Sequence, residues 1–163
     1  MLSGMTTMLA MLGLALAGYG EPENGMPAPD ERLLHLWTNA VRVDPSAFKV
    51  DYQKGGCNYD NFKQTEKKSK PPVMMHLGLY EAARAHSQDM DDNNWFAHES
   101  SDGTSFFNRA AKYYPSSYVG ENIAWNYDNP YVAVTQGWMC SSGHRSNIMY
   151  DDWNEMGVGI VGA

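Results

Sequence analysis

The sequence predicts an α+β domain in which four helices pack around a small antiparallel sheet. Three observations lead there. Apolar residues recur at helical spacing in four stretches, short β-prone pieces lie between and after them, and capping residues or prolines stand where helices should begin. The 163 residues leave room for one domain, and 43% hydrophobic residues give it material for a core.

Taken in order, Asp30 reads as a helix cap, with Glu31 in the first turn and Leu33, Leu34, Trp37, Ala40 and Val41 at helical spacing up to Asp44-Pro45. From Gln53 to Pro72 the chain is polar and punctuated by Gly55-Gly56 and Pro71-Pro72, long for a free loop, so a tether is expected there and Cys57 is the candidate. A second helix spans about His76 to Asn93, stacking Leu79, Ala83, His86 and Met90 on one face; His86 is expected to be a hydrogen-bonded packing residue. A short helix follows Thr104 with Phe106, Phe107, Ala110 and Ala111. A fourth starts at Asp128-Asn129-Pro130 and runs to Cys140 through Val132, Val134 and Trp138. The β-prone pieces are Trp95 to Ala97, Tyr118-Val119 into Asn122-Ile123-Ala124, and Met156 to Val161.

The amino terminus speaks for export. Met8 to Ala17 is a run of ten apolar or small residues, too short to cross a bilayer and of the length found in signal peptides. Residues 1–20 are therefore expected to be an export signal, 21–29 an extended leader and 30–163 the domain. Leu16-Ala17-Gly18 resembles a lipoprotein box with Tyr19 in place of the lipidated cysteine, so no lipid anchor forms there, and no transmembrane anchor is expected. The destination is the medium, the cell surface or the periplasm. Twelve Lys and Arg against nineteen Asp and Glu give a net charge of −7, the wrong sign for a nucleic-acid partner.

Enzyme signatures fail position by position. There is no Gly-x-Ser-x-Gly elbow, phosphate loop or dinucleotide glycine pattern. His98-Glu99-Ser100-Ser101-Asp102 has Asp where a zinc protease needs its second histidine. Asp89, Asp91 and Asn93 begin like a calcium loop, but Asn94 stands at the glycine position and Ser100 at the bidentate glutamate. What remains is His98, Glu121 and His144, each beside glycine or at the end of a β-prone piece, where side chains can converge on a cleft.

These residues sit in motifs that resemble the CAP superfamily, or SCP domain: cysteine-rich secretory proteins, antigen 5 proteins and plant pathogenesis-related class 1 proteins. The carrying stretches are Ala85 to Met90, Trp95-Phe96-Ala97-His98 with Ser101 to Ser105, Gly120-Glu121-Asn122-Ile123-Ala124, Gly137-Trp138-Met139 with Ser142 to Met149, and Asn154 to Gly159. Trp37, Asn39 and Arg42 are compatible with the family's opening helix. The resemblance implies an α-β-α sandwich and a cleft of two histidines and two acids that binds zinc or another divalent ion in some members. By motif His98, Glu121 and His144 carry over, while Ser141 stands where the second glutamate is normal, so the tetrad is incomplete and weak, pH-dependent metal binding is expected. Asn122 and Arg145 are assigned to the same cleft, Arg145 and Asn147 are expected to brace the loop around His144 through hydrogen bonds to carbonyls, and Glu155 is a candidate spatial substitute for the missing acid, which sequence alone does not place. The family also continues past its Gly-Val-Gly strand, so a C-terminal strand is expected to be missing.

Given export, Cys57 and Cys140 are expected to be joined, pinning the polar segment beside the cleft. The function expected is that of a secreted, monomeric module binding a lipid or protein ligand. The alternative is a metal-assisted hydrolase with Glu121 as base, or more remotely a serine hydrolase using Ser141 or Ser142 with His144.

Overall fold

The computed structural model describes residues 25–115 and 118–161. The expected export signal, residues 21–24 of the leader and the terminal Gly162-Ala163 lie outside the described residues.

Helix α1, Pro29–Val43, starts one residue before the expected cap, because Pro29 supplies the fixed dihedral suited to a first helical position. Ala28 occupies the cap, and the Glu31 carboxylate takes the job a capping side chain would do by accepting the Ala28 amide at 2.7 Å. A 3-10 turn, Pro45–Phe48, leads into α2, Lys49–Lys54, neither of them anticipated; Asp44 caps the turn by accepting from the amides of Ser46 and Ala47. Strand β1 is Met74–Met75, and α3, Leu77–Asp92, is capped by the His76 ring and agrees with the expected helix. Helix α4, Phe106–Ala111, is capped by Ser105. Helix α5, Pro130–Val132, capped by Asn129, gives way to a π-helical turn over Ala133–Gly137 and a 3-10 turn over Trp138–Cys140. Helix α6, Ser142–Ile148, carries His144, and β2 is Glu155–Met156.

The sheet differs most from expectation. Among the described residues it has two strands, β1 and β2, paired in parallel with Met74 opposite Glu155, not antiparallel. Parallel pairing follows from topology, since β1 and β2 are joined by a long helical crossover rather than a hairpin. The β-prone pieces 95–97 and 118–124 form no strand, and the third piece is a strand only at its start. Residues 95–97 are drawn into a loop by Trp95, whose indole donates to the Glu99 carbonyl at 2.9 Å.

A layered arrangement nevertheless emerges from residues 157–160. Gly157 lies so close to the backbone of Leu79 and Tyr80, and Gly159 to Ala83 and Arg84, that a β-carbon at either would fall at 2.0–2.3 Å from α3. Val158 and Ile160 face the other way, into the cluster of Leu34, Val41, Val134, Trp138 and Ile148. Alternation along an extended segment thus places α3 on one side and the α1 and α5 core on the other. Glu31, fully buried, ties the three together: its carboxylate accepts from Ala28, from Arg84 of α3 and from the Ile160 amide, the last two at 3.0 Å.

The polar segment after α2 is held as anticipated. Cys57 and Cys140 form a disulfide across 83 residues, worth about 4–5 kcal/mol in the chain-entropy account. Arg42, also buried, donates to the carbonyls of Pro71, Ile148 and Tyr150, and Asn39 bonds both backbone groups of Val73. Gly157→Ala is therefore expected to lower stability by roughly 1–3 kcal/mol, because the helix backbone it meets cannot yield as a side chain would. Urea unfolding measures this, and an unchanged midpoint would contradict the layered contact.

Candidate functional site

The site is assembled by a loop, a helix and two extended strips. After α3 the chain turns through residues 95–105, fixed to the helix by Asp89, whose carboxylate accepts from the Ser101 amide at 2.8 Å and from its hydroxyl at 2.5 Å. Those bonds hold the Asp89 carboxyl below the usual carboxylate range. Gly103 closes the turn at φ +82°, a conformation that favours glycine. The loop presents His98 at the surface.

Helix α4 then projects Arg109 beneath this loop. The guanidinium is buried, at 7% exposure, and donates to the His98 carbonyl at 3.2 Å, to the Ser100 hydroxyl at 3.0 Å and to the Glu121 carboxylate. The other oxygen of Glu121 lies 2.9 Å from His98 Nδ1. A carboxylate oxygen accepts, so Nδ1 carries the proton and Nε2 is left with its lone pair. His86 stands behind them, 2% exposed, with Nε2 2.9 Å from the Ala97 carbonyl and 4.0 Å from Glu121. The carbonyl fixes its proton on Nε2, and burial, followed by the Arg109 charge, lowers its pKa and keeps the ring neutral.

Glu121 is held in place by the strip around it. Asn122 donates to the His144 carbonyl at 3.2 Å and accepts from Asn147 at 2.9 Å; the Trp138 indole donates to the Ile123 carbonyl at 3.1 Å. Gly120 permits this approach, since a β-carbon there would meet the Asn147 side chain at 2.4 Å. On α6, Arg145 donates to Glu66 and to the Met139 carbonyl, both at 2.8 Å, and lies over the Phe62 ring at 4.0 Å. Burial alone would raise the Glu66 pKa, but the bonds from Arg145, Ser146 and the Lys63 amide outweigh it and hold the carboxyl low. Arg145 thus braces the helix that carries His144.

Of the sequence-designated residues, His98 and Glu121 are in direct contact, and the His144 pKa is lowered first by burial and then by its nearness to His98, whose protonated form would repel a second imidazolium. The His144 ring makes no hydrogen bond to either among the described residues. Ser141 occupies the cap position of α6, its backbone bonded to Gly137, Trp138 and Arg145, and its side chain makes no capping hydrogen bond. Glu155 accepts from the Tyr114 hydroxyl at 2.6 Å and so is engaged elsewhere. Sequence reasoning missed Arg109 and Glu66. The available signal for Arg109 was its place beside Ala110, one turn after Phe106, on the inward face of a short helix, where a cation needs a buried partner.

A divalent metal fits this donor set poorly. Two imidazoles are half of a tetrahedral shell, the Glu121 carboxylate is already neutralised by Arg109, and among the described residues no three ligating side chains form a metal-holding group. Beside the site a cavity of about 1230 Å³ runs between α1 and α3, reaching Glu121, Arg109 and His86. Aromatic rings rim the region: the exposed Phe96 and Trp125 lie 6.1 Å apart, and the half-buried Phe106 stands 6.3 Å from His98.

The α+β layering and the pairing of a loop histidine with Glu121, braced by the helix that carries His144, define the class to which the chain belongs, and comparison with known proteins agrees. The Cysteine-rich secretory protein family, CAP, matches residues 37–163, and the chain belongs to that family. It is 36% identical over 126 residues to the uncharacterised protein YkwD of Bacillus subtilis (strain 168), covering 76% of this chain and 48% of YkwD. It is 40% identical over 82 residues to the uncharacterised membrane protein YlbC of the same organism, covering 49% of this chain and 23% of YlbC. A crystal structure of an extracellular SCP-domain protein from Bacillus anthracis superposes with a TM-score of 0.52 at 33% identity, covering 56% of this chain and 31% of the other. The chain thus spans about half or less of the length of these relatives.

The two lowered histidines fix a pH response. His86 and His144 are neutral in the folded protein, whereas an unfolded imidazole protonates near pH 6.5, so below that pH the unfolded state binds more protons. This stability is present above about pH 6.5 and is lost as pH falls toward the folded-state values. The melting temperature is expected to drop between pH 7 and 5, less steeply in His144→Gln. Identical slopes in the two proteins would contradict the assignment to His144.

Proposed function

We propose that the protein is an extracellular ligand- or partner-binding module, without hydrolytic activity, whose binding surface is the His98, Glu121 and His144 cleft with its aromatic rim. The observation that carries this reading is the double engagement of Glu121. Each of its two oxygens is already tied to a fixed partner, Arg109 on one side and His98 on the other, so neither is left open to position a water. Ser141, standing where a second acid would be, lends no help.

Several features support the extracellular setting. The Cys57–Cys140 disulfide is of a kind that persists in oxidising compartments, and the similar Bacillus anthracis protein is described as extracellular. No helix among the described residues is long and apolar enough to cross a membrane. Exposed Phe96, Phe107 and Trp125 beside a large cavity suit a lipid or protein ligand, as large rings bury much area at small entropic cost. A monomer is the working assembly. Any divalent ion is held weakly, by His98 Nε2 and His144, and supplies no structural support.

A second reading, a metal-assisted hydrolase of peptide or ester-like bonds, draws on one feature: the Glu121 carboxylate fixes the His98 tautomer, as in many catalytic pairs. One experiment separates the two. Chromogenic peptide and ester substrates, assayed with and without added zinc, are expected to turn over no faster than in buffer. Turnover abolished by His98→Ala and by His144→Ala, with circular dichroism unchanged, would establish the hydrolase instead. For the compartment, mass spectrometry of protein recovered from the culture medium is expected to find both cysteines oxidised, and free thiols there would refute export through an oxidising route.

A further inference from the structure

We propose that Arg109 is the specificity-determining residue that keeps divalent cations out of the cleft: its guanidinium serves as a built-in cation on Glu121, in the role an ion would otherwise fill. The inference concerns the same cleft as the binding-module reading, but metal affinity is measured without turnover or ligand, so either can fail while the other stands.

The geometry assigns Arg109 this role through three anchors that leave it little freedom. One nitrogen donates to the His98 carbonyl at 3.2 Å and to the Ser100 hydroxyl at 3.0 Å; another meets the Glu121 carboxylate. The carbonyl and hydroxyl belong to the loop that carries His98, so the residue that neutralises Glu121 is locked to the backbone beside the first imidazole. Burial strengthens the effect. With 7% of its surface exposed, the guanidinium is screened from solvent less than a surface arginine would be. Its field already reaches across the site, since Arg109 contributes to holding His86 neutral.

Two consequences for a cation follow from electrostatics and ligand number. A fixed positive charge repels any ion approaching His98 Nε2 and His144. Glu121 is also withheld as a third donor, because releasing it would strand a buried arginine without its counter-charge, a costly arrangement. Removing the guanidinium lifts that repulsion and frees a carboxylate oxygen beside His98, although the described residues hold no ready-made group of three ligating side chains.

Titration calorimetry of the purified, metal-free full chain with zinc chloride tests this. Wild type and Arg109→Lys are expected to bind weakly and alike, since a lysine restores the charge on Glu121. Arg109→Met is expected to bind zinc roughly tenfold to a hundredfold more tightly, the range that neighbouring-shell groups command. The gain is expected to vanish in Arg109→Met with Glu121→Gln. A folded Arg109→Met protein with unchanged or weaker affinity overturns the proposal. Should Arg109→Met fail to fold, Glu121→Gln in the wild-type background decides: unchanged zinc affinity is expected, because Glu121 is already occupied, and a loss of about tenfold or more overturns the proposal.

Discussion

The organisation of the cleft depends on one carboxylate. Glu121 sits between the guanidinium of Arg109 and the imidazole of His98, and each partner belongs to a different element: Arg109 to α4, His98 to the loop before it, and Glu121 to the strip that α6 holds through Asn122 and Asn147. Taking a carboxylate partly out of water is costly unless its oxygens are all engaged, and here the compensation comes from an ionised partner. Because those bonds fix the His98 tautomer and the position of its loop, the character of the cleft follows from them. It is a place with one bare imidazole nitrogen and a neutralised acid, better suited to receiving a ligand than to activating water.

The same economy of buried charge recurs at two other points. Glu31 joins α1, α3 and the segment after β2, so one fully buried side chain fixes the relative placement of three layers. Arg145 with Glu66 fixes α6, and with it His144, against the segment that the disulfide also restrains. Each pair is completed by further hydrogen bonds, the condition under which buried ions are tolerable and their disruption is severe. The apolar core sits chiefly on the α1 and α5 side, while α3 is held by the close approach of Gly157 and Gly159. The chain belongs to the CAP family over residues 37–163, which take in the Arg145 and Glu66 pair and both glycine contacts but not the Glu31 junction.

Helices were legible in the sequence wherever amphipathic spacing coincided with a cap or proline, as in α1, α3 and α5. Helix α6 was not, because Ser142-Gly143-His144-Arg145 has poor helix formers and its support comes from Glu66, 79 residues away. The β-prone pieces misled for a related reason: Trp95, Phe96, Ile123 and Val158 have the residue types of strands, but among the described residues two short segments alone pair as strands. His98 and Glu121 could be picked out because glycines and motif order surround them. Arg109 and Glu66 were invisible, since a charged residue in an ordinary polar context reads as solvated until its partner from a distant segment is placed beside it. Ser141 turned out to stand at the cap of α6, a position the sequence did not reveal because that helix was not anticipated.

The most direct measurement of the central claim is a crystal structure determined at neutral pH after zinc soaking, with anomalous data collected above the zinc edge. The account predicts Arg109 bonded to Glu121 and no fully occupied anomalous peak between that carboxylate and the two histidines. A strong peak ligated by His98, Glu121 and His144, with the guanidinium displaced, would contradict it.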